Sequence, residues 1–224
     1  MSKFNYEIIN NEAVITKYSG SSNLIYIPDE IDGFRVTGIG EGVFKNHSYV
    51  TSVRLPANLK SIGKEAFDRC HKLEKIKLPE TLEFLGEFAF FECISLKKVK
   101  LTNPNIKLSM QVFKMCGNLK SVELPEGLKE VPYQAFKCCE HLEEITIPAT
   151  VESIGVCAFE FCMNLKNVYM LGRNIEIEKN AFQFMEEVTV HCYKNSKTYL
   201  ECRRIYQPTK IHFKFYEESS DRFN

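Results

Sequence analysis

The stretch Gly63-Lys-Glu-Ala-Phe67-Asp-Arg-Cys70-His-Lys-Leu73 decides the fold, because its pattern recurs along the chain with a constant period of 23. A fixed period of 20 to 50 residues is typical of a solenoid, in which each repeat is one unit stacked on the next. The sequence therefore predicts about seven stacked units, numbered one to seven by their phenylalanines. These stand at Phe44, Phe67, Phe90, Phe113, Phe136, Phe159 and Phe182.

Within one unit, two kinds of periodicity follow each other. Val53 and Leu55 alternate with polar residues and indicate a short strand, which Pro56 ends because proline has no N–H for a ladder. The apolar positions from Ile62 to Leu73 are spaced like one or two helical turns. We therefore predict a leucine-rich-repeat horseshoe, with a parallel β-sheet on the concave side and short helical or 3-10 turns on the convex side.

Glycine and cysteine also keep the period. Gly63, Gly86 and Gly155 precede the predicted turns, where we expect a positive φ that only glycine adopts cheaply. Five of the nine cysteines lie three residues after a repeat phenylalanine, and stacked equivalent side chains are too parallel for disulfide geometry. We expect a file of buried, reduced thiols. Its members are Cys70, Cys93, Cys116, Cys139 and Cys162.

The consensus I-x-L-P-x-x-L-x-x-I-G-x-x-A-F-x-x-C-x-x-L-x-x resembles the BspA-like class of leucine-rich repeats over about residues 24–190. Proteins of that class are largely microbial surface proteins, and the resemblance implies a role in attachment to host proteins or other cells. Some units depart from the consensus: Ser109 and Pro132 stand at the glycine position, and unit one carries five extra residues around Asp32. We expect local irregularity there and no gap in the stack.

The chain divides into three predicted parts. Residues 1–23 read as an N-terminal hairpin cap, 24–190 as the solenoid, and 191–224 as a C-terminal cap and tail. In the last part, Ser196 is the expected N-cap of a helix to about Arg204, Pro208 is a break, and Ile211 to Phe215 alternate like an edge strand. The tail 217–224 is expected to be mobile.

Composition excludes some classes of function. Of 224 residues, 44% are hydrophobic and 26% charged, and the formal net charge is zero, so bulk charge favours neither nucleic acid nor membrane as a partner. No apolar run reaches the ~20 residues of a membrane span. The first residues lack the apolar core of a signal peptide. We expect the chain as it stands to be cytoplasmic; a chain trimmed of a leader would look the same and would be secreted or at the cell surface.

The predicted concave sheet turns two columns of side chains outward, and these are the candidate binding residues. The columns are basic over units two to four and acidic around unit six. One interpretation is a solvated sheet without a ligand; the other is a groove for a protein or glycan whose acidic patch faces the lysines. The candidate residues are Arg54, Lys75, Lys77, Lys98, Lys100, Glu123, Glu144, Thr146 and Tyr169.

The sequence gives little support for catalysis. Cys138-Cys139-Glu140-His141 is the nearest approach to a metal or nucleophile cluster, but Cys139 is a core position, and two ligands do not make a zinc site. No phosphate loop, serine elbow or dinucleotide motif is present. We predict no catalytic residue, no metal and no cofactor. Cys138, Cys157 and Cys192 fall outside the thiol file, and Cys157 is expected near the surface.

The predicted function is that of a non-enzymatic scaffold for protein interaction through the concave face, with a host or cell-surface protein or a glycan as the partner. Two alternatives remain open. One is an intracellular adaptor or an effector that acts inside a host cell. The other is an accessory that recruits substrate for an enzyme on another chain.

Overall fold

The fold is a β-solenoid of stacked parallel coils, seen in a computed structural model that describes residues 3–205 and 210–217. Its strands in chain order are β1 (Phe4–Ile9), β2 (Glu12–Tyr18), β3 (Leu24–Tyr26), β4 (Glu30–Ile31), β5 (Phe34–Ile39), β6 (Ser52–Arg54), β7 (Ser61–Ile62), β8 (Lys75–Ile76), β9 (Phe84–Leu85), β10 (Lys98–Lys100), β11 (Lys107–Leu108), β12 (Ser121–Glu123), β13 (Glu130–Val131), β14 (Glu144–Ile147), β15 (Ser153–Ile154), β16 (Asn167–Met170), β17 (Glu176–Ile177), β18 (Glu187–Cys192) and β19 (Lys210–Phe215). The helix α1 (Lys197–Ile205) lies between β18 and β19.

Each coil contributes to two sheets. The concave sheet runs in three sections, β3-β6-β8, β10-β12 and β14-β16-β18-β19. A second sheet has the order β1-β2-β5-β7-β9-β11, with β4 on β5, and continues as β13-β15-β17. Strands of successive coils pair in parallel, while the β1–β2 and β4–β5 hairpins are antiparallel.

The gap in the second sheet between β11 and β13 has a simple cause in the sequence. Elsewhere in this sheet the residue after each strand donates its N–H to the coil before it, as Gly86 does to the Ile62 carbonyl at 2.8 Å and Gly155 to Val131 at 2.8 Å. Pro132 occupies this position in unit five and has no N–H to donate. The predicted irregularity is therefore a missing ladder bond, and the core continues through it.

The repeat phenylalanines form a continuous file along the axis of the solenoid. All seven are buried, and consecutive rings lie 5.0 to 5.6 Å apart at interplanar angles of 4° to 11°. Stacking offers each ring two aromatic partners that a single unit cannot supply. The prediction that the aromatics share one interior is confirmed.

The five thiols of the cysteine file are buried beside the phenylalanines. Each S–H donates to the carbonyl of the phenylalanine one unit earlier, as Cys93 does to Phe67 at 3.2 Å and Cys139 to Phe113 at 3.3 Å. All nine cysteines of the chain are free thiols. A small side chain with a weak donor fits this place: the same carbonyl already accepts a backbone N–H in its own turn, as Phe67 does from Cys70 at 3.2 Å, and the thiol adds a second, weak hydrogen bond.

The third side of the coil, called the turn face here, consists of separate hydrogen-bonded turns. In unit two, Ala66 N–H donates to Gly63 at 3.3 Å and Cys70 N–H to Phe67 at 3.2 Å. Glu65 and Arg69 have φ of 54° and 56°, and the equivalent residues of the other units are also left-handed. Two left-handed residues per unit keep the predicted helical or 3-10 turns from joining into a helix.

The reason predicted for the repeat glycines is wrong. Gly63, Gly86 and Gly155 are not among the glycines with positive φ. Their coils approach so closely that a Cβ on Gly86 would stand 2.5 Å from the Lys64 nitrogen, and one on Gly155 would stand 2.7 Å from the Tyr133 nitrogen. Glycine is required here by the contact between backbones of adjacent coils.

Both ends of the stack carry extra elements. At one end, β1 and β2 join through Asn10 and Asn11 with φ of 49° and 65°, and β2 adds in parallel to β5. At the other end, Ser196 caps α1 by accepting the Tyr199 N–H at 3.1 Å, and β19 extends the concave sheet. Pro208 and residues 218–224 of the tail lie outside the described residues, and the three-part division stays a prediction.

Candidate binding surface

The outward columns of the concave sheet lie where alternation in the sequence predicts them. Residues 53, 76, 99, 122, 145 and 168 are buried, and the side chains on either side of each are exposed or half-buried. All nine predicted binding residues lie on this one face. The structure differs from the prediction in how their charges are paired.

Glu123 neutralises part of the basic patch. Its carboxylate oxygens lie 2.5 Å from Lys98 Nζ and 2.8 Å from Lys100 Nζ, on the adjacent strand. Hydrogen bonds first from Lys100 and then from Lys98 lower the pKa of the Glu123 carboxyl, and the same contact raises the pKa of Lys100. Both lysines are therefore less open to an external anion than their exposure suggests.

Arg54, Lys75 and Lys77 form the basic part of the face that is still open. The guanidinium of Arg54 lies over the Tyr26 ring, 4.8 Å from its centroid. Within the described chain, neither Lys75 nor Lys77 forms an ion pair with a carboxylate, and both are exposed. An acidic ligand would meet these three cations without displacing a carboxylate that is ion-paired to them.

An open groove of about 650 Å³ follows toward the C-terminal end of the same face. Glu144 and Thr146 lie in it together with Glu143, while Lys120 and Lys166 flank the carboxylates on the adjacent coils. The groove can accept a cationic or hydrogen-bonding group between its carboxylates. Its full lining is Lys120, Ser121, Val122, Glu123, Leu124, Glu143, Glu144, Thr146, Lys166 and Asn167.

A pair of stacked aromatic side chains, Tyr169 and His191, lies beyond the groove. Tyr169 stacks on His191 with 4.3 Å between ring centroids, and His191 Nε2 lies 3.1 Å from Asn167 Oδ1. Burial, with a smaller effect of Lys214, lowers the pKa of His191, so this ring is neutral at pH 7. Flat aromatic surface beside amide and carboxylate groups suits both peptide and sugar ligands.

The sequence reasoning missed Tyr26 and His191 because the period changes at both ends. One full period from Tyr169 reaches Cys192, but the register pairs Tyr169 with His191, the residue before it. Tyr26 pairs with Arg54 across the five extra residues of unit one. Both residues could have been found from their neighbours in the sequence. Val190 and Ile25 are buried, so alternation along a strand turns the next residues, His191 and Tyr26, outward.

Of the four cysteines outside the file, Cys157, Cys192 and Cys202 are not surface thiols. Cys192 is fully buried and Cys157 is 8% exposed, which contradicts the expectation that Cys157 lies near the surface. Burial is the largest cause that raises the pKa of Cys157, and its hydrogen bond to Glu160 raises it further. Only Cys138 is partly open to solvent.

Alkylation of the native protein is therefore expected to label Cys138 and leave the other eight thiols unmodified. Burial also raises the pKa of Cys138, so its reaction should be slow at pH 7 and faster as the pH rises. Intact-mass measurement after iodoacetamide treatment checks this, with the unfolded protein as the control in which all nine react. Labelling of Cys157 or Cys192 at the rate of Cys138 would contradict the burial described above.

In residues 3–205 and 210–217, no group of three or more histidine, cysteine, aspartate or glutamate side chains is placed to hold a metal ion. In the sequence cluster at 138–141, the Cys139 thiol is buried against Phe113 and the His141 ring bonds to the Gly117 carbonyl at 2.8 Å. No helix in the same residues is long and apolar enough to cross a bilayer.

Stacked coils of one repeat each, with a phenylalanine file, a cysteine file and an open concave sheet, define a leucine-rich-repeat protein of the BspA type. The family model described as BspA type leucine rich repeat region matches in six copies, over residues 37–165 and 88–207. The chain belongs to this family.

Solved structures show the same fold. A leucine-rich repeat protein of T. pallidum is 26% identical, with a TM-score of 0.73 over 93% of this chain and 95% of that one. A leucine-rich cell surface protein of Faecalibacterium prausnitzii is 22% identical, with a TM-score of 0.60 over 85% and 69%. A protein of Eubacterium ventriosum is 26% identical, with a TM-score of 0.59 over 68% and 46%. Among curated proteins, no match is found.

Proposed function

We propose that this chain is a non-enzymatic scaffold that binds a segment of another protein along its concave face. The acidic part of the segment would lie over Arg54, Lys75 and Lys77, and a basic or polar part would enter the groove at Glu143 and Glu144. Family membership and the similarity to repeat proteins, one of them described as a cell surface protein, support a binding role.

The observation that carries the proposal is the uneven pairing of charge on one continuous face. Glu123 binds both lysines of unit four, whereas the cations of units two and three face solvent. Like charges on neighbouring strands disfavour the sheet slightly, by some tenths of a kcal/mol per pair. In a complex, unpaired charges on a contact face act mainly on the association rate and the choice of partner, which gives these cations a role despite their small cost to the sheet.

The test uses a fluorescein-labelled polyglutamate peptide as the probe, with polylysine as its counterpart. The triple variant Arg54→Glu, Lys75→Glu, Lys77→Glu is expected to weaken polyglutamate binding about tenfold or more, because repulsion replaces attraction on the contact face. Fluorescence anisotropy at low and at ~0.3 M salt measures this, and the wild-type affinity should fall with salt.

A matched control places the same charge changes elsewhere. Lys17→Glu, Lys72→Glu and Lys107→Glu alter exposed lysines outside the concave columns and shift the net charge equally. This control should bind the probe nearly as well as wild type. Equal loss in both triple variants would mean that net charge, and not this face, attracts the peptide, and the proposal would then be wrong.

A further inference from the structure

Exposed apolar side chains concentrate on the turn face of units three to seven. Six large hydrophobic residues there are 37% to 50% exposed, whereas the concave face is mostly charged. Patches of this kind on soluble proteins mark interaction sites more often than chance exposure. The six are Ile94, Met110, Met115, Tyr133, Met163 and Phe184.

The centre of the patch is a continuous row, called the apolar row here: Met115, Cys138, Phe161 and Phe184. Backbone hydrogen bonds of 2.8 to 3.0 Å from the first three to the next coil hold the row in register. The rings of Phe161 and Phe184 stack at 4.5 Å and 7°. At the ~4.8 Å spacing of strands, the row is about 14 Å long.

The positions equivalent to the apolar row are polar in the first three units, at the other end of the solenoid. Asn46, Arg69 and Glu92 occupy them in units one to three, and Arg69 Nε lies 2.8 Å from Glu92 Oε2. The turn face therefore changes from an ion-paired surface to an apolar one along its length. Stacking alone does not require that change, since all seven positions have the same backbone.

The backbone conformation makes the apolar row unusual. Met115, Cys138, Phe161 and Phe184 have φ of 60° to 62°, a region that favours glycine and asparagine and disfavours bulky side chains. In unit one the equivalent position is occupied by Asn46, a residue type that tolerates this backbone conformation. Four bulky or apolar residues at disfavoured, partly exposed positions indicate a use that lies outside the fold itself.

The margins of the row carry opposite charges. Lys114 and Lys137 precede it in units four and five, while the exposed Glu140 and Glu186 follow it. Lys137 is ion-paired to the buried Glu160, and Lys114 Nζ donates to Gln134 Oε1 at 2.8 Å. Within the described chain, Lys114, Glu140 and Glu186 form no ion pair. A twofold axis along the row would bring the basic margin of one copy opposite the acidic margin of the other.

The exposed apolar area of the patch limits how tightly a partner can bind to it. At roughly 200 Å² for a large side chain, the exposed fractions of the six side chains correspond to an area on the order of 500 Å². That is below the ~800 Å² per partner of a standard stable interface. We propose that two copies of this chain associate weakly and reversibly through this patch, centred on the apolar row, in parallel, and leave both concave faces open.

Sedimentation velocity from about 5 to about 500 µM tests this, and the wild type should shift from monomer toward dimer in that range. The double variant Met115→Asn, Phe184→Asn should remain a monomer. Asparagine tolerates the left-handed backbone better than methionine or phenylalanine, so this variant should unfold at an equal or higher denaturant concentration. Loss of dimer with retained stability separates the interface from a folding defect.

Two further variants complete the test. Leu24→Asn removes a 63% exposed leucine from the concave strand β3 and should dimerise like wild type. Glu140→Lys should weaken the dimer, because in the parallel arrangement it would place a cation opposite Lys137 and one coil from Lys114 of the second copy, and Lys114 forms no ion pair within the described chain. A wild type that stays monomeric to about 500 µM, or a double variant that still dimerises, overturns the proposal; the first result would leave the patch to a different protein.

Discussion

Replacing Phe113 with alanine is expected to lower the free energy of unfolding by about 3–5 kcal/mol. The ring is fully buried in the middle unit, between Phe90 at 5.3 Å and Phe136 at 5.6 Å. Alanine would remove both stacking contacts and leave a cavity that flanking coils, tied by backbone hydrogen bonds, cannot close. Urea unfolding followed by circular dichroism measures the change.

Phe184→Ala provides the matched control. It removes the same side chain from the turn face, where Phe184 is 50% exposed, and should change stability by less than about 1 kcal/mol. If Phe113→Ala cost no more than this control, the phenylalanine file would not be the core that holds adjacent coils together. The interior described here would then be wrong.

The period of the phenylalanines was enough to predict the stack and its interior. Equivalent residues of a solenoid meet their own copies, so a position that recurs in every unit, such as Phe90 or Cys93, has its neighbours specified in advance. Alternation around Val53 and Ile76 also placed the outward columns correctly. These features depend on spacing alone.

Features that depend on distances between coils could not be predicted from the sequence of a single repeat. The role of Gly86 lies in the approach of another coil's backbone, which no local pattern shows. Glu123 neutralises Lys98 and Lys100 because its side chain reaches sideways across the sheet. The left-handed φ at Phe161 and Phe184 was missed because aromatic residues rarely adopt it.

The period also concealed what lies on the turn face. A column is recognised by residues that repeat, and the column of the apolar row does not repeat: Asn46 and Arg69 give way to Met115 and Phe184. The change in chemistry along one column is the signal that the sequence offered. Core columns are uniform because each residue packs on its equivalents, so variation is concentrated at the surface, where binding occurs.

Replacing Gly86 with alanine is expected to destabilise the protein by about 1–3 kcal/mol or more, although it adds a single methyl group. The new Cβ would lie 2.5 Å from the Lys64 nitrogen and 2.6 Å from the Gly63 carbonyl carbon. Both are backbone atoms, so relief requires coils two and three to separate. That separation would strain the 2.8 Å hydrogen bond from Gly86 to Ile62 that joins β7 and β9.

Gly117→Ala separates this clash from the general effect of removing a glycine. A Cβ at Gly117 would have no atom within 4 Å, and this glycine is not left-handed, so alanine should be neutral or should stabilise by about 0.4–1 kcal/mol through the unfolded state. Thermal unfolding of both variants compares them directly. Opposite signs would establish the close approach of coils as the reason for glycine at 86, whereas two neutral changes would show that the coils yield there. Unit four carries Ser109 at the equivalent position and still donates its N–H to the Leu85 carbonyl at 2.9 Å, so coils three and four accommodate a Cβ where coils two and three have Gly86.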